Sequence, residues 1–289
     1  MGVAIVTDST ADLPAGVAHA HGVSVVPLQI VIGTRSYPEG VEVDAEAVAQ
    51  ALRAHVPVRT SRPNPAAFLA AYQRAADAGA SGVLSLHLSA HMSGTHSSAT
   101  LAAAQSPVPV RVVDSHSMGM ALGFAVLSAA RRAAAGGDLD ECYAVAEARV
   151  AATSSFFYVD TLEHLRRGGR IGAAQALVGN ALAVKPLLHL RDGRVEPLER
   201  VRTASRAIAR LEELALEAAA GHEVDIAVHH LASAERAELL AQALRSRTGR
   251  LRELQVTQIG AVVGAHVGPG MLGVVVAPVL DEAVWCGDR

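Results

Sequence analysis

Leu86 to Thr100 reads LHLSAHMSGTHSSAT, and its reading decides the fold. Just upstream, Gly82-Val83-Leu84-Ser85-Leu86 has the composition of a short interior strand. Downstream, Ser93-Gly94-Thr95 offers hydroxyls and backbone N–H groups where a helix begins. Strand, small polar turn and helix make the repeating unit of a parallel α/β sheet. The partial positive charge and unpaired amides of the helix start favour an anion there, a phosphate or a carboxylate.

The same unit recurs on both sides of this stretch. Val3 to Thr7 is an apolar run followed by Asp8-Ser9-Thr10-Ala11-Asp12-Leu13-Pro14, with a helix expected from near Pro14. Val23 to Ile32 reads as one β-rich run, closed by Gly33 and Tyr37-Pro38-Glu39-Gly40, and Asp44 caps a helix to about Ala54. Thr60-Ser61-Arg62-Pro63-Asn64-Pro65 is a loop leading into a helix over 66–78. Val110 to Val113 ends in Asp114-Ser115-His116-Ser117, and helices over 118–135 and 139–152 follow.

The pattern then changes. Phe156 to Val159 is a strand, Asp160-Thr161 caps a short helix, and Arg166-Arg167-Gly168-Gly169-Arg170-Ile171 is a basic glycine turn. Asp192-Gly193 between two β-rich runs predicts a hairpin over 186–201. A helix over 203–220, a strand over 224–230, a helix over 233–246 and a strand over 251–260 come next. A short apolar helix, the loop His266-Val267-Gly268-Pro269-Gly270 and a strand over 272–278 close the pattern. The expectation is therefore an α/β fold in two domains. Residues 1–155 form an α/β/α domain with a mostly parallel sheet, and residues 156–289 an α+β domain with a mixed or antiparallel sheet.

Composition narrows the function. Half the residues are hydrophobic, the formal net charge is −3, and there is no basic run, which disfavours a nucleic-acid partner held through phosphates. Cys142 and Cys286 lie far apart without a CxxC, as expected in a reducing compartment. There is no signal-peptide pattern and no apolar stretch of membrane-spanning length, so a soluble cytoplasmic protein is expected. Neither G-x-x-x-x-G-K-[ST] nor G-x-G-x-x-G after a strand is present, so no cofactor is expected, and any nucleotide would come on another chain.

In a parallel sheet the polar turns gather at the carboxyl edge, so Asp8-Ser9-Thr10, Thr60-Ser61, Ser93-Gly94-Thr95 and Asp114-Ser115 are candidate binding turns, though each can also simply cap its own helix. Ser93, with His266 and Asp114 as available partners, allows a serine esterase or thioesterase. The nucleophile elbow is incomplete, however, because His91 and Thr95 stand where G-x-S-x-G needs glycines. A metal site from His87, His91 and His96, or from His229-His230, has no supporting motif. Lys185, the one lysine, carries no Schiff-base motif. The arginines around Gly168-Gly169 read equally as an anion clamp, a docking patch or a helix C-terminus. Phosphate binding in a regulatory α/β protein is a third option.

Taken together, these motifs resemble the DegV family of bacterial fatty-acid-binding proteins along nearly the whole chain. The resemblance is carried by Val6 to Pro14, Thr60-Ser61 with Pro63, Ser93-Gly94-Thr95, Asp114-Ser115, Asp160-Thr161-Leu162 with Leu165 to Ile171, Lys185-Pro186, and His266 with Gly268-Pro269-Gly270. It implies a long-chain fatty acid between two domains, with Thr60 and Ser93 on its carboxylate and His266 close by. Ser61, Gly94, Thr95, Asp114 and Ser115 would complete the binding set. It further implies a carrier without its own nucleotide site. A separate ATP-dependent fatty acid kinase subunit would dock at Arg170 and Arg167, and the acyl phosphate would go on to phospholipid synthesis. Two places depart from the family pattern: Arg62 stands where glutamine is more usual, and Tyr37-Pro38-Glu39-Gly40 replaces Tyr-Arg-Asp-Gly.

Overall fold

The computed structural model describes residues 2–183 and 185–280. Cys286 lies outside them. The chain forms two compact units, and it crosses between them four times: residues 2–28, Arg62–Ala152 and 279–280 build the first, Gln29–Ser61 and Thr153–Pro278 the second. The division expected from sequence placed all of 1–155 together; 29–61 instead belongs with the later half of the chain.

In chain order, β1 (Val3–Asp8), α1 (Val17–Ala20) and β2 (Val23–Val26) open the first unit. β3 (Gln29–Ile32), β4 (Arg35–Pro38), α2 (Ala45–Arg53) and β5 (Val58–Ser61) form the excursion into the second. α3 (Pro65–Asp77), β6 (Gly82–His87), α4 (Thr95–Ala103), β7 (Val110–Asp114), α5 (Met120–Ala134) and α6 (Leu139–Ala152) complete the first. The rest of the second unit comprises β8 (Ser154–Tyr158), α7 (Glu163–Arg167), a 3-10 stretch over Gly172–Ala183, β9 (Lys185–Arg191), β10 (Arg194–Val201), α8 (Ala204–Ala219), β11 (Val224–His230), α9 (Ala234–Arg247), β12 (Leu251–Gln258), α10 (Ala261–Val267) and β13 (Leu272–Pro278).

The first unit is an all-parallel sheet in the order β2-β1-β6-β7. Every residue of β6 is buried, as a strand covered on both faces requires. Phe68 and Tyr72 of α3 and Ala99 and Ala102 of α4 pack with Val6 and Val83 on one face. α5 and α6 pair with each other and pack against the sheet as well. Asn64 and Pro65 start α3 as N-cap and first helical residue, with Asn64 Oδ1 accepting from Ala67 N at 2.9 Å.

The second unit carries a six-stranded mixed sheet, β10-β9-β8-β13-β11-β12, in which only β11 and β12 run parallel. Asp192 and Gly193, both at positive φ (48° and 75°), make the two-residue turn of the expected hairpin. A small antiparallel sheet, β4-β3-β5, belongs to the same unit.

The Val23 to Ile32 run therefore splits. Pro27 has no N–H to give a sheet ladder, and Leu28 N donates instead to Ser9 Oγ at 2.9 Å, so β2 and β3 end up in different sheets. Thr60 and Ser61, expected in a loop, close β5 opposite Ile30 and Gln29. Tyr37 and Pro38 likewise belong to a strand, β4.

Candidate functional site

In the second unit, Thr60 and His266, 206 residues apart, meet: Thr60 Oγ1 lies 2.9 Å from His266 Nε2. His266, expected in a loop, sits in the last turn of the seven-residue α10. That helix is held at its start by Glu39, whose Oε1 accepts from Val262 N at 2.6 Å while the glutamate is almost fully buried. The Tyr37-Pro38-Glu39-Gly40 departure thus supplies a cap for the helix bearing the histidine.

Three glycines let the backbone close on this region. A Cβ on Gly168 would overlap His266 Nδ1, although the backbone there is ordinary right-handed helical (φ −73°), so the constraint is purely steric. Gly268 and Gly270 sit at φ 78° and 89°, and a Cβ on either would overlap His164 or Asp160. Asp160 in turn accepts from the Tyr158 hydroxyl and from Lys185 Nζ, 3.0 Å from Oδ1. Lys185 is thereby an ion-pair partner.

Burial, with Arg170 adding repulsion, lowers the His266 pKa from 6.5 to about 4, so the imidazole is neutral at pH 7. Its Nδ1 is buried without a hydrogen-bond partner among the described residues. An orphaned lone pair costs less than an orphaned N–H, so the proton belongs on Nε2. His266 Nε2–H then donates to Thr60 Oγ1, and the Thr60 hydroxyl is left with its own proton to donate to an anion. The pair borders a cleft of about 810 Å³ that also receives Arg167 and Arg170.

In the first unit, the Ser93-Gly94-Thr95 turn begins α4 as expected. Ser93 Oγ lies 2.9 Å from Thr95 Oγ1 and accepts from Thr95 N at 3.3 Å. Arg62 packs over this turn, and a Cβ on Gly94 would overlap its Nη1. Asp114 Oδ1 accepts from Ala90 N and His116 N at 3.1 and 2.9 Å, and Ser115, fully buried, donates to Ser117 O at 3.3 Å. Both side chains hold local turns. Ser61 is exposed at the end of β5.

Sequence reasoning missed a buried relay in the first unit. Asp8 Oδ2 accepts from His87 Nδ1 and Leu88 N, each at 3.0 Å, and Oδ1 accepts from Thr10 N at 3.0 Å and Thr10 Oγ1 at 2.6 Å. His87 Nε2 lies 2.7 Å from Ser85 Oγ, which lies 2.9 Å from the Tyr72 hydroxyl. The order Asp-His-Ser matches a catalytic triad, but Asp8, His87, Ser85 and Tyr72 are all fully buried, so no substrate reaches the serine and the relay is structural. Its only sequence signal is the i, i+2 spacing of Ser85 and His87 on one strand face. Of the histidines read as metal candidates, His87 serves this relay and His229 Nδ1 bonds Thr257 Oγ1 at 2.8 Å.

A family model described as "uncharacterised protein, DegV family" matches residues 2–279. A DegV domain-containing protein of Streptomyces coelicolor is 60% identical over 275 residues, covering 95% of this chain and 98% of that protein. Among solved structures, a DegV family protein of Thermus thermophilus described by its fatty acid binding superposes with a TM-score of 0.92 at 34% identity, covering 96% of this chain and all of the other. DegV of Bacillus subtilis, described as a fatty acid binding protein, superposes with a TM-score of 0.89 at 33% identity over 96% of this chain and all of that one.

Proposed function

We propose that this chain, which belongs to the DegV family, binds a long-chain fatty acid and holds its carboxylate on the outward-donating hydroxyl of Thr60. The observation that carries the reading is the Thr60–His266 pair, where a neutral, half-buried imidazole fixes the hydroxyl as a donor. The fatty-acid-binding descriptions of the Thermus and Bacillus proteins support it. Ser93, Gly94, Thr95, Ser61, Asp114 and Ser115 are proposed as the remaining binding set, as the resemblance implies. Burial of hydrocarbon contributes about 0.8 kcal/mol per methylene, on the order of 10 kcal/mol gross for a long acyl chain, so the tail can carry the affinity. The headgroup residues then need only orient the carboxylate.

On this reading the protein is a carrier. A separate ATP-dependent kinase subunit, docking at Arg167 and Arg170, would phosphorylate the presented carboxylate. One carboxylate oxygen attacks the γ-phosphorus, the bond from that phosphorus to the β,γ-bridging oxygen breaks, and ADP leaves as the acyl phosphate forms for phospholipid synthesis. Among the described residues no helix is long and apolar enough to cross a membrane, which suits a carrier working in the cytoplasm.

The esterase alternative gains nothing from the geometry. Ser93 Oγ is bonded to Thr95, His266 Nε2 to Thr60, and Asp114 Oδ1 to backbone amides. Delipidated protein is expected to take up palmitate at near one-to-one stoichiometry in calorimetry, with Thr60→Val weakening the uptake. Native mass spectra without co-purified lipid, together with no calorimetric uptake, would sink the proposal. Stoichiometric labelling of Ser93 by a fluorophosphonate would favour the esterase.

A further inference from the structure

The helix that carries His266 is too short to hold its own direction. α10 has seven residues, well below the length at which a helix is stable by itself in water, so the attachments at its two ends decide where it points. Glu39 holds the start. At the other end Gly268 N donates to Gly264 O at 2.9 Å, the backbone turns away at φ 78°, and Gly270 N donates to Leu231 O at 2.9 Å. Gly270, at φ 89°, lies against Asp160, whose Oδ2 fills the space a Cβ would need. The course of the chain just after His266 therefore depends on where Asp160 is held.

Asp160 is held by both its side chain and its backbone. Lys185 Nζ donates to Asp160 Oδ1 at 3.0 Å and to Asp160 O at 3.1 Å, and the Tyr158 hydroxyl donates to the same Oδ1. Tyr158 is fully buried, and burial first, with Asp160 second, raises its pKa, so the phenol keeps the proton it donates. Lys185 is the one lysine in a chain of 25 basic residues, and its compact ammonium serves two oxygens of one residue at once. The Lys185 and Asp160 side chains are 33% and 41% exposed, where an ion pair contributes little to stability, so the clasp matters for geometry. We propose that Lys185 and Asp160 are positioning residues for the Thr60–His266 pair. The clasp fixes Gly270, Gly270 fixes the end of α10, and that end sets where His266 Nε2 meets Thr60 Oγ1. The positioning stands on these contacts alone; its consequence for a carboxylate rests on the fatty-acid reading above.

The test is Lys185→Met, which removes the ammonium and keeps most of the stem, made in the unsubstituted chain and in Thr60→Val. Delipidated proteins are compared by palmitate calorimetry, histidine NMR titration and urea unfolding at pH 7.5. Lys185→Met should weaken palmitate binding roughly three- to ten-fold in the unsubstituted chain and less than about two-fold in Thr60→Val, because the clasp acts through the pair. The His266 titration should rise from about 4 as the ring gains solvent, while that of His229, lowered to about 4 by burial on β11, stays in place. The urea midpoint should move by less than about 0.5 M. Asp160→Asn, which keeps the volume against Gly270 and loses the charge facing Lys185, should shift His266 in the same direction. An unmoved His266 titration in both variants overturns the proposal, as does an equal loss of palmitate affinity with and without Thr60. A joint shift of His266 and His229 with a midpoint loss above about 1 M marks a general loosening and overturns it too. If palmitate fails to bind the unsubstituted chain, the fatty-acid reading falls and the clasp is judged by the two histidine titrations.

Discussion

The neutral state of His266 makes a quantitative prediction. Its pKa is lowered from 6.5 to about 4, with burial the larger cause and Arg170 the smaller. The unfolded chain therefore binds a proton at this residue over the window from about pH 6.5 to about pH 4 while the folded chain does not, so acid costs stability there. At 1.36 kcal/mol per pKa unit the shift corresponds to about 3 kcal/mol, fully present above pH 6.5 and lost by about pH 4. His229, also lowered to about 4 by burial, acts in the same direction and must be cancelled. The perturbation is His266→Gln, compared with the unsubstituted protein by urea unfolding from pH 7.5 down to 4. The difference in unfolding free energy between the two proteins should fall by about 3 kcal/mol across the window, because only one retains the depressed group. In parallel, the His266 ring resonance should titrate near 4 in the free protein. It should move upward when palmitate binds, since a nearby carboxylate favours the imidazolium. A pH-independent stability difference, or a His266 resonance titrating near 6.5, would refute both the burial argument and the tautomer assigned from it.

Gly168→Ala places a methyl against His266 Nδ1 without backbone strain; a loss of roughly 1–3 kcal/mol and weaker palmitate binding are expected, whereas Gly169→Ala, at φ 69° with open space, should lose only the strain cost and keep binding in calorimetry. Asp8→Asn leaves one oxygen where two serve four donors, so buried N–H groups face an amide; about 3 kcal/mol and a melting temperature lower by roughly 6–12 °C follow, and a shift within about 2 °C in circular-dichroism melts would contradict the relay. Glu39→Ala removes the acceptor for Val262 N, costing about 1–2 kcal/mol and raising the His266 titration toward 6.5 as the short helix loosens, while Glu39→Gln, which keeps an acceptor oxygen, should restore both in the same NMR titration.

What was legible in sequence was what local chemistry decides. Asp192-Gly193 dictated its hairpin because both residues adopt positive φ, and the helix expected over 66–78 formed one residue earlier, with Pro65 as its first residue and Asn64, expected in a loop, as its N-cap. The parallel first unit followed from strand, polar turn and helix in repetition. The Val23 to Ile32 run misled because β-rich composition cannot say which sheet a strand joins; Pro27 was the missed signal. The Asp8–His87 contact spans 79 residues, and nothing local to either marks it. Arg53 and Arg59 stood in an ordinary helix and strand, with no motif to set them apart.

The excursion of residues 29–61 builds one side of the candidate site. Polar turns that follow parallel strands gather at the carboxyl edge of the sheet, and on that basis Thr60 was expected in one set of loops with Ser93. The fold places Thr60 within strand β5, in the same unit as His266, so the donor and the group that orients it are fixed by one packed body. Glu39 comes from the same excursion and caps the helix that carries His266. Arg53 and Arg59 ride on it too, on the wall of the same cleft. One insertion of 33 residues therefore supplies the hydroxyl, the cap and two of the four arginines, Arg53, Arg59, Arg167 and Arg170, that line the cleft. Disturbing its seating should change the His266 titration and palmitate binding together, whereas Asp8→Asn, in the other unit, should lower stability and leave the His266 titration where it is.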